Sequence, residues 1–425
     1  MNKVNVFWFR RDLRLSDNTG LCHALNENLP LVPIFIFDTD ILSDLSKNDP
    51  RITFIYQQLA EIHIELRKYK SSINIYHGTP KDVWEKLAKE FEINSVFYNK
   101  DYEPYALARD KMVNTILYKK GIKVHSYKDQ VIFEENEICK EDGTPYTVYT
   151  PYMKKWRKAF EHISLEIPKL KTENFYTQTK ELPSLSSIGF EKSDIKVKDY
   201  QIAHLDKYKD TRNSPSEDAT SYLSPHLRFG TVGIRELIKK IPSNNYTFTN
   251  ELIWRSFFMQ ILFHFPRVVN HNFRTKYDGI KWRNNQEEFD RWCVGETGYP
   301  MVDAGMRQLN KTGYMHNRVR MIAASFLCKH LLVDWRWGEA YFAQKLLDYE
   351  LSSNNGNWQW AAGTGCDAAP YFRIFNPYEQ TRKFDRQNIY IKKWVPEFER
   401  PDYKPIVEHK FARERALKTY KEGIQ

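Results

Sequence analysis

Four short stretches of this sequence gather residue types that a folded core does not require. In Glu251-Leu-Ile-Trp-Arg-Ser-Phe-Phe258, the residues Glu251, Trp254, Arg255 and Phe258 fall at i, i+3, i+4 and i+7, on one face of a helix. A carboxylate, an indole and a guanidinium side by side make poor core, because buried charges need partners. The same face suits a planar, hydrogen-bonding ligand such as a nucleobase. In Tyr314-Met-His-Asn-Arg-Val-Arg-Met321, Asn317, Arg320 and Met321 again share a face. His316 reads as a local cap or packing residue before it reads as a general base, since no Ser-His-Asp or Cys-His set surrounds it. The stretch Asp348–Gly365, DYELSSNNGNWQWAAGTG, is rich in Asn, Gly and small polar residues. It would make a bad solvent loop and a bad helix, but a reasonable wall where backbone closely approaches a flat cofactor. Finally, Tyr208 precedes the run ATSYLSPHLRFG at 219–230, in which Ser224 before Pro225 reads as an N-cap and first turn. Thr220, Ser221 and Ser224 put hydroxyls near a helix start, where free N–H groups favour phosphate. By itself, an ordinary capped helix explains this last run better.

The elements that must position these residues differ between the two halves of the chain. Val4–Phe9, Leu31–Asp38, Ile73–His77, Ser95–Tyr98 and Lys123–Tyr127 are short β-branched or aromatic runs, and read as strands. Helical patterns separate them at about 17–28, 51–70, 80–91 and 103–120. Such alternation predicts a doubly wound parallel α/β sheet with a ligand crevice beyond the carboxyl ends of its strands. No G-x-G-x-x-G follows the first strand, where WFRRDLRLSDN stands instead, so a dinucleotide site there is unsupported. Residues 131–200 lack sustained periodicity, carry Pro151, Pro168 and Pro183, and read as a long connector. Beyond 200 the strand pattern vanishes and helical segments follow at 231–241, 250–265, 286–293, 300–311, 316–332 and 336–348. The expected domains are therefore 1–130, α/β; 131–200, linker; and 201–425, all-helical.

Bulk properties narrow the class. A chain of 425 residues is too long for one ordinary core, and 41% hydrophobic with 28% charged residues is the balance of a soluble globular protein. The N-terminus turns cationic after its short apolar run rather than before it, which excludes a secretory signal, and no apolar stretch is long enough to span a membrane. The expectation is a cytoplasmic protein. Cys22, Cys139, Cys293, Cys328 and Cys366 are scattered without a C-x-x-C pair, which argues against disulfides and a cysteine metal site; no metal is expected. A net charge of +10 suits a polyanionic partner, although solubility alone accounts for it equally well. Of the 11 tryptophans, most lie after residue 250, which suggests rings used for more than filling space.

Taken together and in order, WFRRDLRLSDN, the Thr-Ser-x-Leu-Ser run, ELIWRSFF, GYMHNRVRM, DWRWGEAYF and NNGNWQWAAGTGCDAAPYFRIFNP resemble the photolyase/cryptochrome family, most closely its class I members acting on cyclobutane pyrimidine dimers. The resemblance runs from residue 4 to about 395. It implies an antenna α/β domain, a long linker and a helical FAD domain, and light-driven cleavage of pyrimidine dimers in DNA by an electron lent from reduced FAD. The enzyme would be a deoxyribodipyrimidine photo-lyase, expected as a monomer, with damaged DNA as its partner. A cryptochrome-like photoreceptor with the same fold and FAD is the alternative.

By this resemblance, Tyr208, Thr220, Ser221, Leu223 and Ser224 would hold the FAD diphosphate. Arg255, Arg320, Asp348 and Asn354 would line the isoalloxazine, with Asn354 facing its N5. Glu350 stands where many relatives have Asp, so its contact with the flavin is displaced by a methylene. Trp254 and Trp360 would wall the dimer pocket beside Met321. Glu251, kept protonated by desolvation, would donate to a dimer carbonyl, and Asn317 and Arg318 would address the polar edges. Members that repair (6-4) lesions use a pair of histidines near this position, whereas here His316 is followed by Asn317. Trp358, Trp335 and Trp282 match the family's electron-hopping chain to the surface; core packing is the competing reading. The region of Glu103 resembles the one where some relatives bind a folate as a second, antenna chromophore, while others bind deazaflavin, FAD or nothing, so its presence and identity stay open.

Overall fold

In the computed structural model, residues 3–167 and 169–424 are described; Pro168 of the expected connector lies outside them. The chain divides into two compact units. The first comprises 1–137, 159–200 and 222–242, and the second 138–158, 201–221 and 243–425.

The first unit is built on five parallel strands: β1 (Lys3–Phe9), β2 (Leu31–Asp38), β3 (Asn74–Gly78), β4 (Glu92–Asn99) and β5 (Lys123–Tyr127), in the order β3-β2-β1-β4-β5. Helices α1 (Thr19–Asn26), α2 (Thr39–Leu42), α3 (Pro50–Arg67), α4 (Pro80–Glu90) and α5 (Pro104–Lys119) connect them. The period of two sorts side chains to opposite faces. Phe7, Phe9, Phe35 and Phe37 join one core, and Val6, Trp8, Ile34 and Ile36 the other. All eight residues of β2 are buried, as a central parallel strand covered on both faces requires. Helix starts follow local chemistry: Asn18, Asp49 and Thr79 cap α1, α3 and α4, and proline opens α3, α4 and α5.

The later helices α8 (Leu223–Phe229) and α9 (Ile234–Lys240) belong to this unit, and an ion pair joins α9 to the run WFRRDLRLSDN. Arg14 meets Asp129 at 2.6 Å, and Arg235 reaches Asp17 at 2.6 Å and Asp129 at 2.8 Å. Ser224 is not the cap of α8. Tyr222 precedes the helix at φ 50°, no side chain caps it, and Ser224 lies exposed in the first turn.

The second unit is helical: α6 (Tyr149–Phe160, its last two residues excepted), α7 (Tyr208–Thr211), α10 (Tyr246–His264), α11 (Gln286–Val294), α12 (Pro300–Thr312), α13 (Asn317–Ser325), α14 (Trp335–Lys345), α15 (Leu351–Ala362), α16 (Pro377–Phe384), α17 (Ile389–Trp394) and α18 (His409–Ile424). Three differences from the expected pattern matter here. The stretch read as connector contains α6. The helix expected over 316–332 is α-helical only through Ser325 and widens into a π-helical turn at Phe326–Leu331. And Leu351–Ala362, judged a bad helix from its Asn and Gly content, is α15. Tertiary partners override propensity there. Glu350 caps the helix through the Ser353 N–H, while Asn355 and Gln359 both donate to the Val268 carbonyl at 3.0 Å. Gly356 lies so close to the Phe258 ring that a Cβ would overlap it, which explains one glycine of the run.

Candidate active site

Helix α10 presents Glu251, Trp254 and Arg255 half-buried, with Phe258 beneath them, as the helical spacing predicts. Asn245 caps the helix by accepting from the Phe248 N–H. The Glu251 carboxylate is met at 2.9 Å by Arg212, just beyond α7, a partner the sequence reading missed although it follows Tyr208 by one helical turn. Two influences oppose each other on this acid. Burial raises its pKa, Arg212 lowers it, and the net direction is up. Tyr208 opens α7, stacks edge-on against Phe248 and lies beneath the Arg212 guanidinium.

Helix α13 starts at His316, whose Nδ1 accepts from the Arg318 N–H at 3.2 Å. The histidine is thus a cap. Burial and neighbouring arginines push it down to about 4, so it is neutral near pH 7. Asn317 is exposed at the first helical position. Arg318 donates to Asn213 Oδ1 at 2.6 Å and lies against the Met321 sulfur at 3.8 Å. Asn213 is a second residue the sequence did not flag. Arg320 pairs with Asp348 at 2.9 Å and donates to the Met315 carbonyl.

Asn354 of α15 donates its Nδ2 to the Glu339 carbonyl of α14 at 3.1 Å. Glu339 was also missed. Burial pushes its carboxyl up to about 7, the Asn355 and Asn354 amides stand beside it, and its buried Oε1 has no hydrogen-bond partner. An orphaned oxygen beside the Asn354 amide fits a polar, flat ligand such as the flavin ring. Glu350 caps α15: its carboxylate accepts from Ser352 Oγ and the Ser353 N–H.

Trp335 and Trp358 are fully buried and Trp282 half-buried, all against the same core. The Trp335 indole N–H donates to Asn272 Oδ1 at 2.8 Å, Trp358 packs edge-on to Phe342, and Trp282 packs edge-on to Tyr420. Trp360 is half-buried against this core. The diphosphate candidates fall in different units: Thr220 and Ser221, half-buried, in the second, and Leu223, buried, with exposed Ser224 in the first. In the first unit Glu103 is held by Arg11 at 2.9 Å and Arg228 at 3.0 Å. None of the five cysteines forms a disulfide, and four are buried. Among the described residues no group of three or more His, Cys, Asp or Glu could hold a metal ion, and no helix is long and apolar enough to cross a membrane.

Comparison with known proteins identifies the family. Residues 5–172 match the family model described as DNA photolyase, and residues 248–416 the one described as the FAD binding domain of DNA photolyase. A deoxyribodipyrimidine photo-lyase of Halobacterium salinarum is 36% identical, with 97% of this chain and 98% of that protein covered. The structure of a bacterial class III photolyase from Agrobacterium tumefaciens superposes with a TM-score of 0.87 at 33% identity, covering 100% of this chain and 98% of that one. An archaeal photolyase from Sulfolobus tokodaii, solved with two FAD molecules and described as implying a novel light-harvesting cofactor, gives a TM-score of 0.85 at 34% identity, covering 98% of this chain and 99% of that one. With both halves matched, and full-length relatives above 30% identity, the chain belongs to the DNA photolyase family.

Proposed function

We propose that this protein is a deoxyribodipyrimidine photo-lyase that uses light to split cyclobutane pyrimidine dimers in DNA. The observation that carries the reading is the α10 face, where Glu251 and Trp254 stand half-buried together with Arg212 on the carboxylate. FAD, when bound and reduced, supplies the electron that opens the dimer; Arg255, Arg320, Asp348 and Asn354 would hold its ring. The chain's own residues do the rest. The dimer must leave the duplex stack, as the targets of photolyases do, at a cost of a few kcal/mol. Stacking on Trp254 and Trp360 offsets this by about 1–3 kcal/mol per base. Burial favours the protonated form of Glu251, which can then donate to a dimer carbonyl as charge develops there. Asn317, exposed at the start of α13, and Arg318, anchored by Asn213, would address the dimer's polar edges. Trp358, Trp335 and Trp282 are the proposed path by which oxidised flavin regains electrons.

We read the protein as a cytoplasmic monomer whose DNA binding weakens with salt. The photoreceptor alternative is not favoured, since the full-length relatives are named as photo-lyases. The test is illumination of the reduced holoprotein with dimer-containing DNA and assay of restored thymines. A folded, flavin-loaded protein that restores none would overturn the proposal.

A further inference from the structure

The segment 138–158 shows no periodicity in the sequence, yet its helix α6 reaches the pocket. Tyr149, at the first position of α6, is 7% exposed. Its ring lies flat on the Trp254 indole, with centroids 3.5 Å apart and planes at 5°. The phenol O–H donates to the Asn250 carbonyl at 3.0 Å, and the Tyr149 N–H donates to the Asp367 carboxylate at 3.0 Å. One residue therefore ties α10, which carries Trp254, to the stretch following α15, which carries Trp360. Arg157, two turns along α6, donates to Asn250 Oδ1 at 3.0 Å and fixes α6 to α10 at a second point. Phe257 closes the arrangement edge-on to both rings. Burial raises the pKa of the phenol, so its O–H remains a donor.

An indole hinged on one helix face would lose rotamer freedom on meeting DNA. A ring already held flat by a neighbour has lost it in the free enzyme, which is worth roughly three- to tenfold in affinity. We infer that Tyr149 is a positioning residue for dimer recognition, holding the Trp254 indole in the orientation on which the everted bases stack. This rests on the reading of Trp254 as a pocket wall.

The test uses flavin-loaded full-length protein with Tyr149→Leu, Tyr149→Phe, Trp254→Ala and the Tyr149→Leu/Trp254→Ala double substitution. Affinity for a dimer-containing duplex and for the undamaged duplex is measured, together with repair per absorbed photon at saturating DNA. Tyr149→Leu is expected to lower dimer affinity roughly tenfold and leave undamaged DNA binding unchanged, with repair per photon within about twofold. Tyr149→Phe, which keeps the stack, stays within about threefold. In the Trp254→Ala background, Tyr149→Leu adds no further loss. Should Tyr149→Leu fail to retain flavin, Tyr149→Met fills the volume without an aromatic face and serves in the same comparison. Unchanged dimer affinity, an equal loss on both duplexes, or an undiminished loss in the Trp254→Ala background would overturn the inference. Wild-type dimer affinity in Trp254→Ala alone would instead bring down the pocket reading, and the inference with it.

Discussion

Replacing Arg212 by methionine keeps an aliphatic stem and removes the guanidinium 2.9 Å from Glu251. Burial and this ion pair pull the acid in opposite directions, so deleting one leaves the other uncontested. The paired side chains are 28% and 32% exposed. That places the interaction between exposed pairs, worth about 0–1 kcal/mol, and buried ones, whose breaking costs about 3–5 kcal/mol. An intermediate value of about 1.5 kcal/mol corresponds to about one pKa unit, since 1.36 kcal/mol separates protonation states per unit. Loss of a positive neighbour disfavours the carboxylate, so the titration moves to higher pH. Infrared spectroscopy of the carboxyl band reads this directly, without DNA or light. Subtraction of the Glu251→Gln protein isolates the residue. The expected result is an apparent pKa about one unit above that of the unaltered protein. A shift under about 0.3 unit, or a downward one, would show that Arg212 does not control the acid and that the proposed donor role needs another origin.

Trp282→Phe should slow photoreduction of oxidised flavin while leaving dimer repair by pre-reduced enzyme nearly intact; equal loss of both would count against the tryptophan path. Gly338→Ala places a methyl group into the Trp358 ring and the Leu327 side chain. Overpacking of this kind costs about 1–3 kcal/mol, so a lowered melting temperature and slower photoreduction are expected together. An unaltered melting temperature would mean that the ring moves aside freely. Glu339 titrates near 7 in the folded chain, above its ordinary 4.5. Between those values the folded state keeps a proton that the unfolded state has released, so stability falls as pH rises through that window. Glutamine does not titrate, and the difference in melting temperature between Glu339→Gln and unaltered protein should grow from pH 4.5 to 7 and then level off. A difference independent of pH would refute the burial argument.

Much of the architecture is legible in local pattern. The alternation of Phe7 and Phe9 with Val6 and Trp8 assigns each side chain to a face of the sheet before any partner is known, because a strand's period is two. Prolines opening α3, α4 and α5 mark helix starts for an equally local reason. The Glu251/Trp254 face follows from helical spacing alone. The misreadings arose where a local preference was outweighed, by a distant partner or by the backbone beside it. Asn355 is a weak helix former until Val268 accepts from it, and Ser224 resembles a cap until the backbone at Tyr222 turns left-handed ahead of it.

The sequence by itself therefore determined the parallel α/β unit, the helical unit and the candidate chemistry on α10, since these depend on periodicities of two and 3.6 residues and on side-chain type. Tertiary structure alone decided that Arg212 pairs with Glu251, that Tyr149 lies flat on Trp254, and that Glu350 caps α15. The first two pair residues on different elements, and no spacing rule within a helix or strand can encode which distant side chain will fill the neighbouring space. The third depends on whether α15 forms at all, and packing against the rest of the unit decides that.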